Sequence, residues 1–143
     1  MTKTTDSPTS LSHPPLIVNA QYIKDLSFEN PASPPQQTTS QETPEISVNI
    51  EAQNKLLKER SFEVCLRIHV SAKNKENQVF LLELSYAGVF TIGSDVPDEY
   101  VRPILMVECP RLLFPFARQI VSSLIQDGGY PSLLLNPVDF ADL

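Results

Sequence analysis

The chain has 143 residues, 41% of them hydrophobic and 20% charged, which fits one globular domain with a buried core and excludes collagen-like, low-complexity and wholly disordered chains. Its 11 Lys and Arg against 17 Asp and Glu give a net charge of −6, so nucleic-acid binding through clustered basic residues is excluded and a basic partner suits the surface. The longest apolar run, Leu112 to Ala117, is far short of the roughly 20 residues a membrane helix needs.

Residues 1–15 are rich in Thr, Ser and Pro, lack apolar periodicity and are expected to form a disordered tail ahead of a single domain at 16–143. No apolar leader opens the chain, so a cytoplasmic location is expected. Four β segments follow. The first runs from Leu16 to Phe28 and closes at Asn30-Pro31. A polar, Pro-rich stretch from Pro31 to Pro44 reads as a surface crossover. In the second, Ile46, Val48, Ile50 and Ala52 alternate with polar residues. The third alternates most regularly, with Phe62, Val64, Leu66, Ile68, Val70 and Ala72 on one face, which predicts a half-buried antiparallel strand. A short polar link, Lys73 to Asn77, makes a hairpin with the fourth strand, Gln78 to Ile92. That strand is apolar at Phe80, Leu82, Leu84 and Tyr86 but also at Val79 and Leu81, so both of its faces are expected to meet something.

From Pro97 the period becomes helical. Ser94 or Asp95 is expected to cap, while Pro103, Pro110 and Pro115 should kink or split the region. The strongest helix is Arg111 to Gln126, with Leu113, Phe116, Ile120 and Leu124 on one face and Leu112, Val121 and Ile125 beside them. Gly128-Gly129 ends it. An apolar loop from Tyr130 to Pro137 precedes a further helical turn beginning at Val138. Fold class is therefore α+β: a four-stranded antiparallel sheet followed by a long kinked helical region and a short C-terminal helix.

Chemistry of the catalytic kind is not visible. There is no phosphate-binding loop, and Cys65, Cys109, His13 and His69 make no metal-ligand spacing. The two cysteines read as buried thiols. Asp95, Asp98 and Glu99 stand near a helix start, where acids favour the dipole. A Cys65–His69 pair lacks oxyanion donors. A binding protein without cofactor or metal, not an enzyme, is the expectation.

Three segments carry a resemblance: Ile23-Lys-Asp-Leu-Ser-Phe-Glu-Asn-Pro31, Glu108-Cys-Pro-Arg-Leu-Leu-Phe-Pro-Phe-Ala-Arg118 and Gly128-Gly-Tyr-Pro-Ser-Leu-Leu-Leu-Asn-Pro-Val-Asp-Phe140. In this order and spacing the chain resembles the SecB family of protein-export chaperones over roughly residues 17–143. The resemblance implies a homotetramer, a dimer of dimers, that needs neither ATP nor cofactor. It implies a holdase that keeps precursor proteins unfolded and passes them to the SecA motor. For SecA it implies docking on the solvent face of the sheet through Asp25, Glu29, Leu81 and Glu83. Asp25 and Glu29 are four apart in a strand, and Leu81 and Glu83 two apart, so each pair shares a face. Leu82, Leu84 and Tyr86, on the other face, are implied to lie toward the oligomer interface. Client contacts are expected at the crossover and at Tyr130 to Leu135. Family members usually continue past the position of Leu143 into a longer helix and a polar tail that also meets SecA, so that tail contact is expected to be absent. The alternative within the same fold is a chaperone dedicated to a single partner, such as an antitoxin. Neither nucleic acid nor membrane insertion is implied.

Overall fold

The computed structural model describes residues 14–34 and 43–142. Most of the expected N-terminal tail, the middle of the crossover and Leu143 therefore lie outside the described residues. The four expected strands are present and slightly longer: β1 (Leu16–Glu29), β2 (Glu45–Lys58), β3 (Ser61–Asn74) and β4 (Asn77–Ile92). They form one antiparallel sheet in the order β1-β4-β3-β2. Strands β2, β3 and β4 follow one another through two-residue turns whose first residues, Glu59 and Lys75, adopt positive φ of 39° and 59°. The crossover carries the chain from β1 at one edge to β2 at the other.

Alternation decides what is buried. Even-numbered residues of β3 and β4 share one face, where Leu66 opposes Tyr86, Ile68 opposes Leu84 and Val70 opposes Leu82. All six are buried in a core completed by Leu105, Leu113, Val121, Ile125 and Phe140. Each such fully buried side chain contributes roughly 1.5–3 kcal/mol relative to exposure. The apolar excess on the opposite face of β4 has a plain cause. Val79 is the extra residue of a register shift against β3 and joins the core, while Leu81, paired with β1 and β3, stays half-buried on that opposite face.

The helical region divides at its prolines. A 3₁₀ turn at Asp98–Tyr100 leads into a single turn α1 (Val101–Pro103), a π segment at Ile104–Glu108 and the main helix α2 (Cys109–Asp127). Proline has no N–H to donate, so the regular ladder is broken at Pro110, where the π segment hands over to α2. Capping differs from expectation: the first helical turn begins at Asp98 after Pro97, and neither Ser94 nor Asp95 caps it. Arg60 fastens this corner instead, donating to the carbonyls of Gly93 and Val96 at 3.0 and 2.7 Å and to the Asp98 carboxylate.

Helix α2 packs on β3 and β4. Its innermost residues are Leu113, Phe114, Ala117, Val121 and Ile125, a stripe turned one position from the expected one. The small Ala117 takes the place of Phe116 against the sheet. Leu112 and Phe116 are exposed, and Ile120 and Leu124 are half-buried. At its end, Tyr130 N–H donates to the Ile125 carbonyl and Gly129 N–H to Gln126, with Gly129 at φ 99°. This closure requires a left-handed residue, which glycine supplies without penalty. Gly128 is needed for another reason, because a Cβ there would stand 2.6 Å from the Phe28 ring. The expected C-terminal helix is a single 3₁₀ turn at Phe140–Asp142.

Helix α2 is narrower than the sheet. On the same face, Val18, Ile23 and Leu26 of β1 and Ile46, Val48 and Leu56 of β2 remain exposed on either side of it.

Candidate functional site

The other face of the sheet is open and polar. Across it, Glu29 of β1 stands beside Leu81, which stands beside Ser71. The next row is Ser27, Glu83, His69 and Asn49, and the next Asp25, Ser85, Arg67 and Glu51. The structure thus brings Asp25, Glu29, Leu81 and Glu83 onto one patch spanning two hydrogen-bonded strands. Leu81 is half-buried, and the three acids of the patch are exposed. Asp25, Glu51, Arg67, His69, Glu83 and Ser85 line a shallow depression of about 360 Å³. His69 Nε2 lies 3.8 Å from a Glu83 carboxylate oxygen, an ion pair only when the imidazole is protonated. Such a surface presents carboxylates around an apolar contact, which suits a basic protein surface.

A β-bulge in β1 shapes the patch. Ile23 opposes Tyr86 and Asp25 opposes Ser85, so Lys24 is the extra residue. The bulge inverts parity. Beyond it Tyr22, not Ile23, lies on the open face, opposite Ala87. Tyr22 Oη donates to one Glu63 oxygen at 2.6 Å, and Lys24 Nζ pairs with the other at 2.7 Å. Hydrogen bonds from Lys24 and Tyr22 hold the Glu63 carboxyl below the usual carboxylate range. Burial, with the Glu63 bond, pushes the Tyr22 hydroxyl up to about 12. Sequence alternation does not reveal this cluster, because counting by twos from Asp25 assigns Tyr22 and Lys24 to the opposite face.

Leu82, Leu84 and Tyr86, expected to lie toward the oligomer interface, point into the core of the chain itself. They lie on the core face at 0%, 2% and 8% exposure, covered within the chain. Tyr86 stacks on the Phe116 ring at 6.4 Å and accepts from Gln21. Apolar surface beside them is carried by Phe116, Leu112, Ile23 and Leu26 instead. In the loop after α2, Leu134 is exposed at 69% whereas Leu135 is buried. Tyr130 is anchored: its hydroxyl donates to Asn30, whose amide donates to the Gly128 carbonyl at 3.0 Å. Its ring lies 5.0 Å from that of Phe80, which in turn lies 5.8 Å from the Phe28 ring.

Neither cysteine is poised for chemistry. Both are buried free thiols, and burial pushes Cys65 up and Cys109 up to about 12. A nucleophilic cysteine needs the opposite shift. Cys65 and His69 are four positions apart along β3, roughly 13 Å, too far for a dyad. Among the described residues no cluster of three His, Cys, Asp or Glu is placed to hold a metal ion, and no helix is long and apolar enough to cross a membrane.

Residues 9–143 match the family model described as "Preprotein translocase subunit SecB". The chain is 48% identical over 129 residues to the protein-export protein SecB of Rhodospirillum centenum, covering 90% of this chain and 77% of that one. It is 44% identical over 151 residues to the protein of the same name from Granulibacter bethesdensis, covering 100% and 88%. Among solved structures, the Mycobacterium tuberculosis Rv1957 SecB-like chaperone, in complex with a peptide from the HigA1 antitoxin, superposes with a TM-score of 0.68 over 86% of this chain and 90% of that one. At 14% identity that likeness is one of fold.

Proposed function

The chain belongs to the SecB family, and from that premise we propose that it is an ATP-independent cytoplasmic holdase that binds unfolded precursor proteins and delivers them to SecA for export. It acts as a homotetramer, a dimer of dimers, and catalyses no reaction.

The observation that supports this most is the two-sidedness of one sheet. On the core face, apolar rows of β1 and β2 lie open on both sides of α2. A monomer rarely leaves so many apolar side chains uncovered, and surface of this kind is what subunits and unfolded clients cover. On the open face, Leu81 has Glu29 directly beside it and Glu83 two residues along its strand, with Asp25 one row further. We assign SecA docking to these four residues: the acids steer a basic surface, and Leu81 supplies the desolvated contact. Clients are held at the apolar stretch around the exposed Leu134 and beside the crossover.

The test is the refolding of a slow-folding exported precursor diluted from denaturant, without nucleotide. Arrest or slowing at near-stoichiometric tetramer is expected. Refolding untouched by a well-folded tetramer would overturn the general export role and favour a dedicated-partner chaperone. The docking assignment is checked separately by Glu83→Lys, which should weaken SecA binding and leave the assembly's mass unchanged. Unchanged affinity would remove the open face from the docking site.

A further inference from the structure

We infer that the SecA-docking face is bipolar: beyond its acids it carries a basic end, built by Lys24 and Lys55, that receives an acidic side chain of the same SecA segment. This rests on the docking reading above and deepens it.

The depression around Glu83 and His69 does not stop at Arg67. A second hollow of about 290 Å³, lined by Lys24, Lys55, Glu63 and Cys65 among others, adjoins it, and Asp25, Arg67 and Ser85 line both. Together they make one trough that follows β3 along the open face. Its charges are sorted. Asp25 and Arg67, the ionisable residues common to both hollows, offset each other. At one end stand the acids Glu51 and Glu83, with His69 beside them. At the other stand Lys24 and Lys55 against the single acid Glu63. That acid is already engaged, accepting from Lys24 at 2.7 Å and from Tyr22 at 2.6 Å, and its side chain is only 14% exposed. Lys24, Lys55 and Arg67 are all exposed, so what this end presents to a partner is basic.

The two ends have a fixed spacing. From the His69–Glu83 row to the Glu63 row is six residues along β3, roughly 20 Å. An extended partner segment of the same length reaches both ends with side chains on one face, because six is a whole number of strand periods. Sorted charge also answers a problem of specificity. An acidic patch around a leucine attracts any basic segment, including basic stretches of unfolded clients. Lysines placed at a set distance beyond it repel a continuous basic segment and favour one whose charge changes sign.

The test turns on the sign of one charge reversal in the full chain. Lys55→Glu makes the face more acidic, so simple attraction of a basic surface would tighten SecA binding. The bipolar face requires the opposite: Lys55→Glu is expected to weaken SecA binding by about 3- to 10-fold, and Lys55→Gln by a smaller factor in the same direction. An oligolysine peptide should reverse the order and bind Lys55→Glu more tightly than the parent. Refolding arrest of the precursor should match the parent in both variants. SecA binding Lys55→Glu as tightly as the parent, or more tightly, overturns the inference. So does a weakening in which oligolysine affinity or refolding arrest falls in parallel, which marks a disturbed fold. Glu83→Lys without effect on SecA affinity would overturn the docking reading itself.

Discussion

Glu63 shows how one carboxylate can tie a strand edge to pH. Its bonds to Lys24 and Tyr22 hold its folded pKa below the ordinary carboxylate value. The contribution is therefore complete above the unfolded value and lost as pH falls through the lowered folded one. Tyr22 runs the other way, its folded pKa being raised to about 12. Its contribution is complete below the unfolded value near 10 and is lost as pH rises from there toward 12. Thermal melts against pH should thus decline on both limbs. Glu63→Gln should flatten part of the acid limb and Tyr22→Phe part of the alkaline one; parent-like slopes in both variants would deny the cluster any such role. Residues of this kind mark the limit of sequence reading. Asp25 and Glu29 are correctly paired by counting, because no bulge lies between them. Tyr22 and Lys24 lie beyond the bulge, where the same count misplaces them.

At the scale of elements, alternation and proline placement carry nearly everything legible in this chain. The clean period of β3 and the apolar content of β4 locate the two central strands. Prolines at 103 and 110 bracket the irregular segment of the helical region. The rotation of α2 is less legible. Leu112, Leu113, Phe116, Val121 and Ile125 make an apolar band broad enough for several orientations, and the close approach at Ala117 selects one. Size, not hydrophobicity, decides it. Two substitutions separate the consequences. Leu84→Ala removes a core side chain and should lower the unfolding free energy by about 2–5 kcal/mol in denaturant titrations. Phe116→Glu alters a side chain that is 52% exposed, so it should cost the single chain little and reduce the mass of the assembly by light scattering. Unchanged mass would show that any subunit contact lies elsewhere.

For the whole molecule, the strand order was the least legible property. Periodicity tells which face a residue takes, but not which strand lies beside it. The pairing of β1 with β4 depends on the crossover, a segment whose composition announces only that it is surface. That order has a consequence during synthesis. Strands β2, β3 and β4 can zip together as they emerge, but β1 must wait about sixty residues for Leu81 to Ile92, its partners. At translation rates of about 5–20 residues per second, this leaves an extended strand unpaired for seconds. The nascent chain passes through the condition of the substrates proposed for it. Its defence is written into β1 itself. Two bulges, a lysine and two acids make that strand a poor template for any partner except the one still to come.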